Sequence, residues 1–426
     1  MRSIQSYIIE YMNYNALIKF SADGESVSES RGLLKNVRVL DLTRVLAGPY
    51  CTMMLGDLGA DVIKIEAPGR GDDTRHWGPP FTKSGMSAYF ISANRNKRSV
   101  TLNLKSSEGM NILKELLKIS DVVVDNFRVG TLEKMGLSYE DMQKIKPDII
   151  YCTITGFGYS GPYSHKPGYD FIAQALSGLM SLTGPVDGRP QRVGVAIADL
   201  LTGIYANNAI TAALYAREQS GKGQRIDSSL FDSQVGTLSY VASNYLNSGK
   251  APERLGNAHP NIVPYQDFQA TDGYVAFAAG NDLQWGKFCR AAGKEEWIED
   301  ERFATNPKRV EFRAVLVPLL EELFSTRSVE DWLSLCDEAG IPAAAINSVD
   351  QVFEDPQTIA RGLVMETKLN SGDEILMAGS PLNTIENPPE LFSPPPQLGE
   401  HNEEVLGELL EYTSEDIRRL ESESII

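Results

Sequence analysis

Histidine and cysteine are scarce in this sequence, four of each, and neither residue is grouped. Cys51, Cys152, Cys289 and Cys336 contain no CxxC pair, a pattern that suits a reducing compartment. His76, His165, His259 and His401 stand far apart. Neither HExxH nor a similar ligand spacing occurs, so no metal site is expected. No apolar run reaches the roughly 18 residues of a membrane helix, so no membrane partner is expected either. Positive charge is in deficit, 40 Lys and Arg against 57 Asp and Glu, for a formal charge of −17. So acidic a chain lacks the basic footprint that phosphate backbones need, which argues against nucleic acid as a partner. A local cationic cluster gains meaning for the same reason, because an anionic ligand must be drawn in against the overall field. The fingerprint GxGxxG is also absent, and a nicotinamide or flavin dinucleotide is not supported.

What is present is long enough for two or more domains: 426 residues, 42% of them hydrophobic. Residues 1–30 carry few basic residues against several acidic ones, so they read as an appended arm and a poor mitochondrial presequence. From Val37 the chain alternates. The runs VRVLDLT, DVIKIEA, RSVTLNL, DVVVDNF and IIYCTITGF read as strands, with helical stretches such as AGPYCTMMLGDLGA and SSEGMNILKELLKI between them. Ser106 or Ser107 supplies the cap of the second helix. Crossovers of this kind impose a parallel sheet, so the fold class is α/β, a doubly wound, mostly parallel Rossmann-like sheet. From Tyr265 the pattern changes to a hairpin turning at Thr271–Gly273, followed by helices over 282–292, 309–324 and 329–339, a second and smaller α+β domain. The expected division is a large α/β domain over 31–230, a linker over 231–263, the small domain over 264–356, and a C-terminal segment over 357–426 returning to the large domain.

The chain is organised around Tyr151–Gly203. An apolar strand breaks into a loop holding Gly156, Gly158, Gly161, Pro162, Pro167 and Gly168, the kind of loop beyond a strand end where α/β folds place ligands. Two carboxylates follow in apolar company, Asp170 in KPGYD and Asp199 in VAIADLLTG. Asp199 opens a nearly all-apolar helix that Gly221 should stop. Its position fits a helix cap. It fits equally a carboxylate held ionised by the helix dipole and ready to act as a nucleophile.

This stretch, together with DLTRVLAGPYCTMMLGDLGADVIKIE before it and PPPQLGEHNEEVL near the end, resembles the class III CoA-transferases, the formyl-CoA transferase-like family, over almost everything after residue 33. The resemblance implies an enzyme that uses coenzyme A thioesters as substrates, has no tightly bound cofactor, and forms an interlocked homodimer. It implies that Asp199 is the nucleophile and Asp170 a second catalytic carboxylate. It places Leu46, Ala47, Leu102, Lys105, Asn126, Phe127 and Lys134 on CoA, in the large domain, with Arg95, Lys97 and Arg98 adding positive field. Many relatives carry an arginine where this chain has Ala67, and Arg70 is its candidate substitute. In the racemase branch a histidine stands at Tyr169, so transfer outranks an α-methylacyl-CoA racemase activity. A non-catalytic acyl-CoA-binding protein on the same fold is the other alternative. GNAHPNIVPYQ resembles the branch that moves CoA between succinate and glutarate. Arg44, Arg75, Tyr169 and His259 are then candidates for contact with a dicarboxylate substrate. The same resemblance suggests the mitochondrial matrix, with the cytoplasm as the alternative.

Overall fold

Strands rich in Val and Ile set the architecture of the computed structural model, which describes residues 32–384, 391 and 393–426. The N-terminal arm expected over 1–30 lies outside the described residues. The strands are β1 (Arg38–Asp41), β2 (Asp61–Glu66), β3 (Lys97–Thr101), β4 (Val122–Asp125), β5 (Ile150–Thr155) and β6 (Gln224–Ser229). They form one six-stranded sheet in the order β3-β2-β1-β4-β5-β6, every neighbouring pair parallel. The four helices that matter for the site are α1 (Ala47–Asp57), α2 (Ser107–Lys118), α3 (Asp170–Leu176) and α4 (Ile197–Ser220).

The two-residue period of the strands explains why helices cover both faces. Leu40, Ile63 and Val123 point into one core with Ile112, Leu113 and Leu116 of α2. Their neighbours Val39, Val62, Val122 and Val124 point into the other, with Cys51 and Leu55 of α1 and Ala206 and Ile210 of α4. Strands β4 and β5 are buried throughout, as a sheet covered on both sides requires. Ser106 caps α2 by accepting from Gly109 N, and α4 stops at Gly221, whose φ of 65° is left-handed.

Contacts divide the chain into two units. One comprises residues up to Ser177, Gly194–Ser239 and Asp355 onward; the other comprises Gly178–Val193 and Tyr240–Glu354. The stretch 231–263 expected as linker carries a helix at Leu230–Gly236 and another at Ser239–Ser248. In the second unit β7 (Tyr265–Gln269), β8 (Tyr274–Ala278) and β9 (Ala343–Ala345) form an antiparallel sheet. Phe268 and Phe324 stack there at 4.6 Å, over a core shared with Phe277, Phe288 and Trp332. The single helix expected over 309–324 is two, broken at Phe312, whose backbone (φ −99°, ψ 23°) leaves the helical region; in the first of them Arg309 turns inward and donates to Val263 O and Phe303 O. In the first unit the C-terminal residues Val405, Leu406, Ile417 and Leu420 enter the core around α2.

The strand order reverses between β1 and β4, so the loops that follow them flank a crevice at the carboxyl edge of the sheet. Several cations of this unit are paired within the fold. Lys97 Nζ sits 3.1 Å from Asp41, and Arg95 is bidentate to Asp57 at 2.8 and 2.6 Å. Arg98 pairs with Asp61 and Glu404. The positive field expected from Arg95, Lys97 and Arg98 is therefore corrected: a cation buried against its own carboxylate is neutralised locally. Arg95→Met should then cost about 3 kcal/mol or more by leaving Asp57 unpaired. Urea denaturation checks this; an unchanged midpoint would return Arg95 to the ligand.

Candidate active site

The site is built at the end of β5. After Thr155 the chain leaves the sheet and comes back on itself, with Gly156 and Gly168 packed backbone to backbone. A Cβ on Gly156 would lie 2.6 Å from Gly168 Cα, and one on Gly168 2.4 Å from Gly156 Cα. Both positions are closed to any side chain, and the pinch starts α3 directly beside the strand end. The two glycines approach each other closely. Gly158 N donates to Thr155 Oγ1 at 2.8 Å, so it is occupied within the loop.

Asp170 is the first residue of α3, and its carboxylate reaches the start of α4. Oδ1 accepts from Ala198 N at 2.8 Å and from Asp199 N at 3.4 Å, and Oδ2 accepts from the buried Gln174 Nε2 at 2.7 Å. The first amides of a helix have no partner inside it, and here the cap comes from a different helix. Asp199 lies in the first turn of α4, whose N-cap Ala196 makes no side-chain bond. The capping role expected of Asp199 belongs to Asp170.

Burial pushes the Asp199 carboxyl up, the negative charge of Asp170 adds to it, and the pKa reaches about 7. This reverses the expectation of a carboxylate held firmly ionised. Lost hydration and a like charge both favour the protonated form. Tyr89 is close enough to feel both carboxylates. Burial first, then Asp199 and Asp170, push its phenol up to about 12, so it remains a protonated donor. Trp77 meets its ring edge-on at 5.1 Å. Neither residue was singled out from sequence. The one signal was the length of the loop between β2 and β3.

The residues expected on CoA follow the carboxyl ends of β1, β3 and β4. Asn126 brackets Arg44, accepting from its N–H at 2.9 Å and donating to its carbonyl at 2.6 Å. The half-exposed Arg44 guanidinium stands 5.8 Å from the Phe127 ring. Leu46 and Ala47 begin α1, and both are buried, as is Leu102 beyond β3. Lys105 and Lys134 are exposed at the same edge of the sheet, after β3 and β4. Arg70, beyond Ala67, turns to Asp73 at 2.7 Å.

Other expected residues stand differently. Arg75 is bidentate to Glu66 at 2.8 and 2.6 Å, donates to Pro396 O at 3.0 Å and covers the Phe90 ring at 3.8 Å. Its guanidinium is committed to the fold, which corrects its reading as a substrate contact. Tyr169 is 68% exposed at the N-cap of α3. His259 belongs to the second unit, where Tyr240 stacks on it at 4.9 Å and its Nδ1 accepts from Asn261 N. Burial and the neighbouring Arg313 hold its pKa below the usual value, so it brings no charge to a carboxylate at neutral pH. Among the described residues there is no acidic, histidine or cysteine cluster suited to a metal ion, and no helix is long and apolar enough to cross a membrane.

The profile of CoA-transferase family III matches residues 34–402. A succinyl-CoA:glutarate CoA-transferase from Mus musculus is 48% identical, over 94% of this chain and 92% of that protein. A succinate–glutarate CoA-transferase from Agrobacterium fabrum is 44% identical, over 88% of this chain and 95% of its own. Among solved structures, a CaiB/BaiF family protein from Brucella suis superposes with a TM-score of 0.79 at 46% identity, covering 89% of this chain and 99% of that one.

A carboxyl whose pKa is raised on folding weakens the fold as pH rises, because the unfolded chain loses the proton first. Loss begins near the unfolded value of 3.8 and is complete above about 7. Asp199→Asn should therefore raise the melting temperature by an amount that grows between those limits and is constant beyond. A melting series over pH 4–9 checks it; a difference that shrinks with pH would contradict the raised pKa.

Proposed function

Because the chain belongs to CoA-transferase family III, we propose that it moves CoA from succinyl-CoA to a dicarboxylic acid such as glutarate, through a covalent thioester on Asp199. The observation that carries this reading is the division of labour between two carboxylates. Asp170 takes the amides at the start of α4, which leaves the Asp199 oxygens free to attack.

The steps balance without an external acid or oxidant. An Asp199 oxygen adds to the thioester carbonyl and CoA leaves as its thiolate, giving a mixed anhydride of Asp199 and succinate. The thiolate then attacks the Asp199 carbonyl carbon, expels succinate, and forms the aspartyl-CoA thioester. The acceptor carboxylate attacks that thioester, re-forms an anhydride and frees the thiolate, which attacks the acceptor's acyl carbon. Glutaryl-CoA leaves, and Asp199 is a carboxylate again. Each anhydride must be kept from water. Tyr89, protonated beside the pair, is a donor to charge that develops on the carbonyl oxygen. Arg44, half-exposed at the crevice with a long contact to Asp73 at 3.6 Å, is a cation assigned to an anionic group of the substrates.

The exposed apolar side chains of α3 and α4 (Phe171, Ile172, Leu176, Ile204, Tyr205) support a homodimer that covers them. Light scattering at micromolar protein should give twice the 46.9 kDa chain mass; an active monomer would refute it.

Incubation with succinyl-CoA should leave an adduct on the peptide holding Asp199 that hydroxylamine releases. Asp199→Asn should lower kcat by about a thousandfold or more, and near-normal turnover would dismiss the assignment. Since only the ionised carboxylate attacks, kcat/KM for succinyl-CoA should rise with pH and level off above about 7. A grid of succinyl-, glutaryl-, formyl- and acetyl-CoA against free acids, read by mass spectrometry of the CoA products, tests the substrates. A preference for monocarboxylates or for formyl-CoA with oxalate would overturn the dicarboxylate reading.

A further inference from the structure

The loop between β1 and α1 is held by side chains. Thr43 N donates to Asp41 Oδ1 at 2.9 Å. Thr43 O accepts from Lys64 Nζ at 2.8 Å. Asn126 holds both ends of Arg44. Val45 N donates to Asp72 Oδ1 and Oδ2 at 3.2 and 3.3 Å. These anchors come from β1, from β2, from the end of β4, and from the turn after β2.

At the middle of this loop Val45 has φ 72°. The left-handed region suits glycine or asparagine, and for a residue branched at Cβ it is a true outlier. Such a conformation persists only where the surroundings enforce it. The groups that enforce it are fully buried. Lys64 and Asp72 have 0% exposure and meet at 3.0 Å. Asp72 also accepts from Thr74 N and Thr74 Oγ1 at 3.0 and 2.8 Å, and its own N–H donates to Glu66 at 2.8 Å. Lys64 thus grips the loop's carbonyl at Thr43, while its partner carboxylate grips the amide two residues on. A buried ion pair adds little stability over an apolar pair of the same shape, so what it supplies here is geometry.

We propose that Asp72, locked by Lys64, is a positioning residue of the active site: it forces Val45 into the left-handed conformation and thereby sets the Arg44–Ala47 floor on which the CoA thioester lies. The proposal rests on the CoA reading above. Asp72 touches no substrate; it acts through the Val45 amide and through the direction in which Leu46 and Ala47 enter α1.

The strain makes the idea testable. If Asp72 works by enforcing an unfavourable backbone, a residue that adopts this backbone freely should make Asp72 less necessary. Asp72→Ala should raise the Kd for free CoA about tenfold or more in calorimetry, and adding Val45→Gly should restore most of that loss. A purely structural role would lower the melting temperature in both variants and leave CoA affinity alone, and that result would overturn the proposal, as would a double variant that binds no better than Asp72→Ala. If Asp72→Ala does not fold, the double variant should; failure of both would reduce the pair to a requirement of the fold and end the proposal. If the unsubstituted protein binds no CoA, it is the functional reading that fails. The positioning is then read from hydrogen exchange at the Val45 and Leu46 amides. Exchange should quicken in Asp72→Ala and slow again in the double variant, and unchanged exchange would overturn it.

Discussion

Two amides at the start of a long apolar helix have no partner within that helix, and the carboxylate of Asp170 takes both. Much of the site depends on this one interaction. It fixes α3 against α4, it satisfies buried N–H groups that would otherwise be costly, and it releases Asp199 from a capping role. It also places a negative charge beside Asp199, which together with burial brings that carboxyl to about 7. For the nucleophile proposed here, titration near neutrality is a compromise. A lower pKa gives more of the ionised form and a weaker attacking group; a higher one gives the reverse.

Most of the sheet was legible in the sequence because each strand is a short apolar run bounded by turn residues, and the crossovers leave little freedom of topology. Ser106 and Gly221 were legible as helix ends because capping is local chemistry. Asp199 was legible only as an acid at a helix start. A cap and a buried acid in the first turn differ by the backbone of two or three residues, and the partner that decides the matter, Asp170, arrives from a different helix. Tyr89 and Trp77 were hidden in a loop with no period at all. That Tyr89 feels the acid pair, and that Trp77 packs on Tyr89, are tertiary facts.

Charged residues were the least legible. Arg75, Arg95, Lys97 and Arg98 share a region with the positions expected on CoA in sequence, yet each faces a carboxylate of the fold. Nothing in a linear pattern separates a cation that waits for a ligand from one buried against Glu66 or Asp57. The distinction appears only once strands β1 to β3 bring residues distant in the chain side by side. Arg44 is the contrast: it is one residue from the buried Thr43, but it emerges at the crevice because Asn126 holds its backbone and leaves its side chain outside.

The contact between Gly156 and Gly168 carries a consequence for how such an enzyme can diversify. The two backbones meet at the neck of the loop, and most of the residues between Ser160 and Pro167 face solvent. A loop tied at its neck behaves as an Ω-shaped appendage. Its body can lengthen, shorten or change composition while the neck, and Asp170 just beyond it, stay where they are. Residues within the loop can then be exchanged without moving the carboxylate pair, so the loop and the pair are free to change on separate terms.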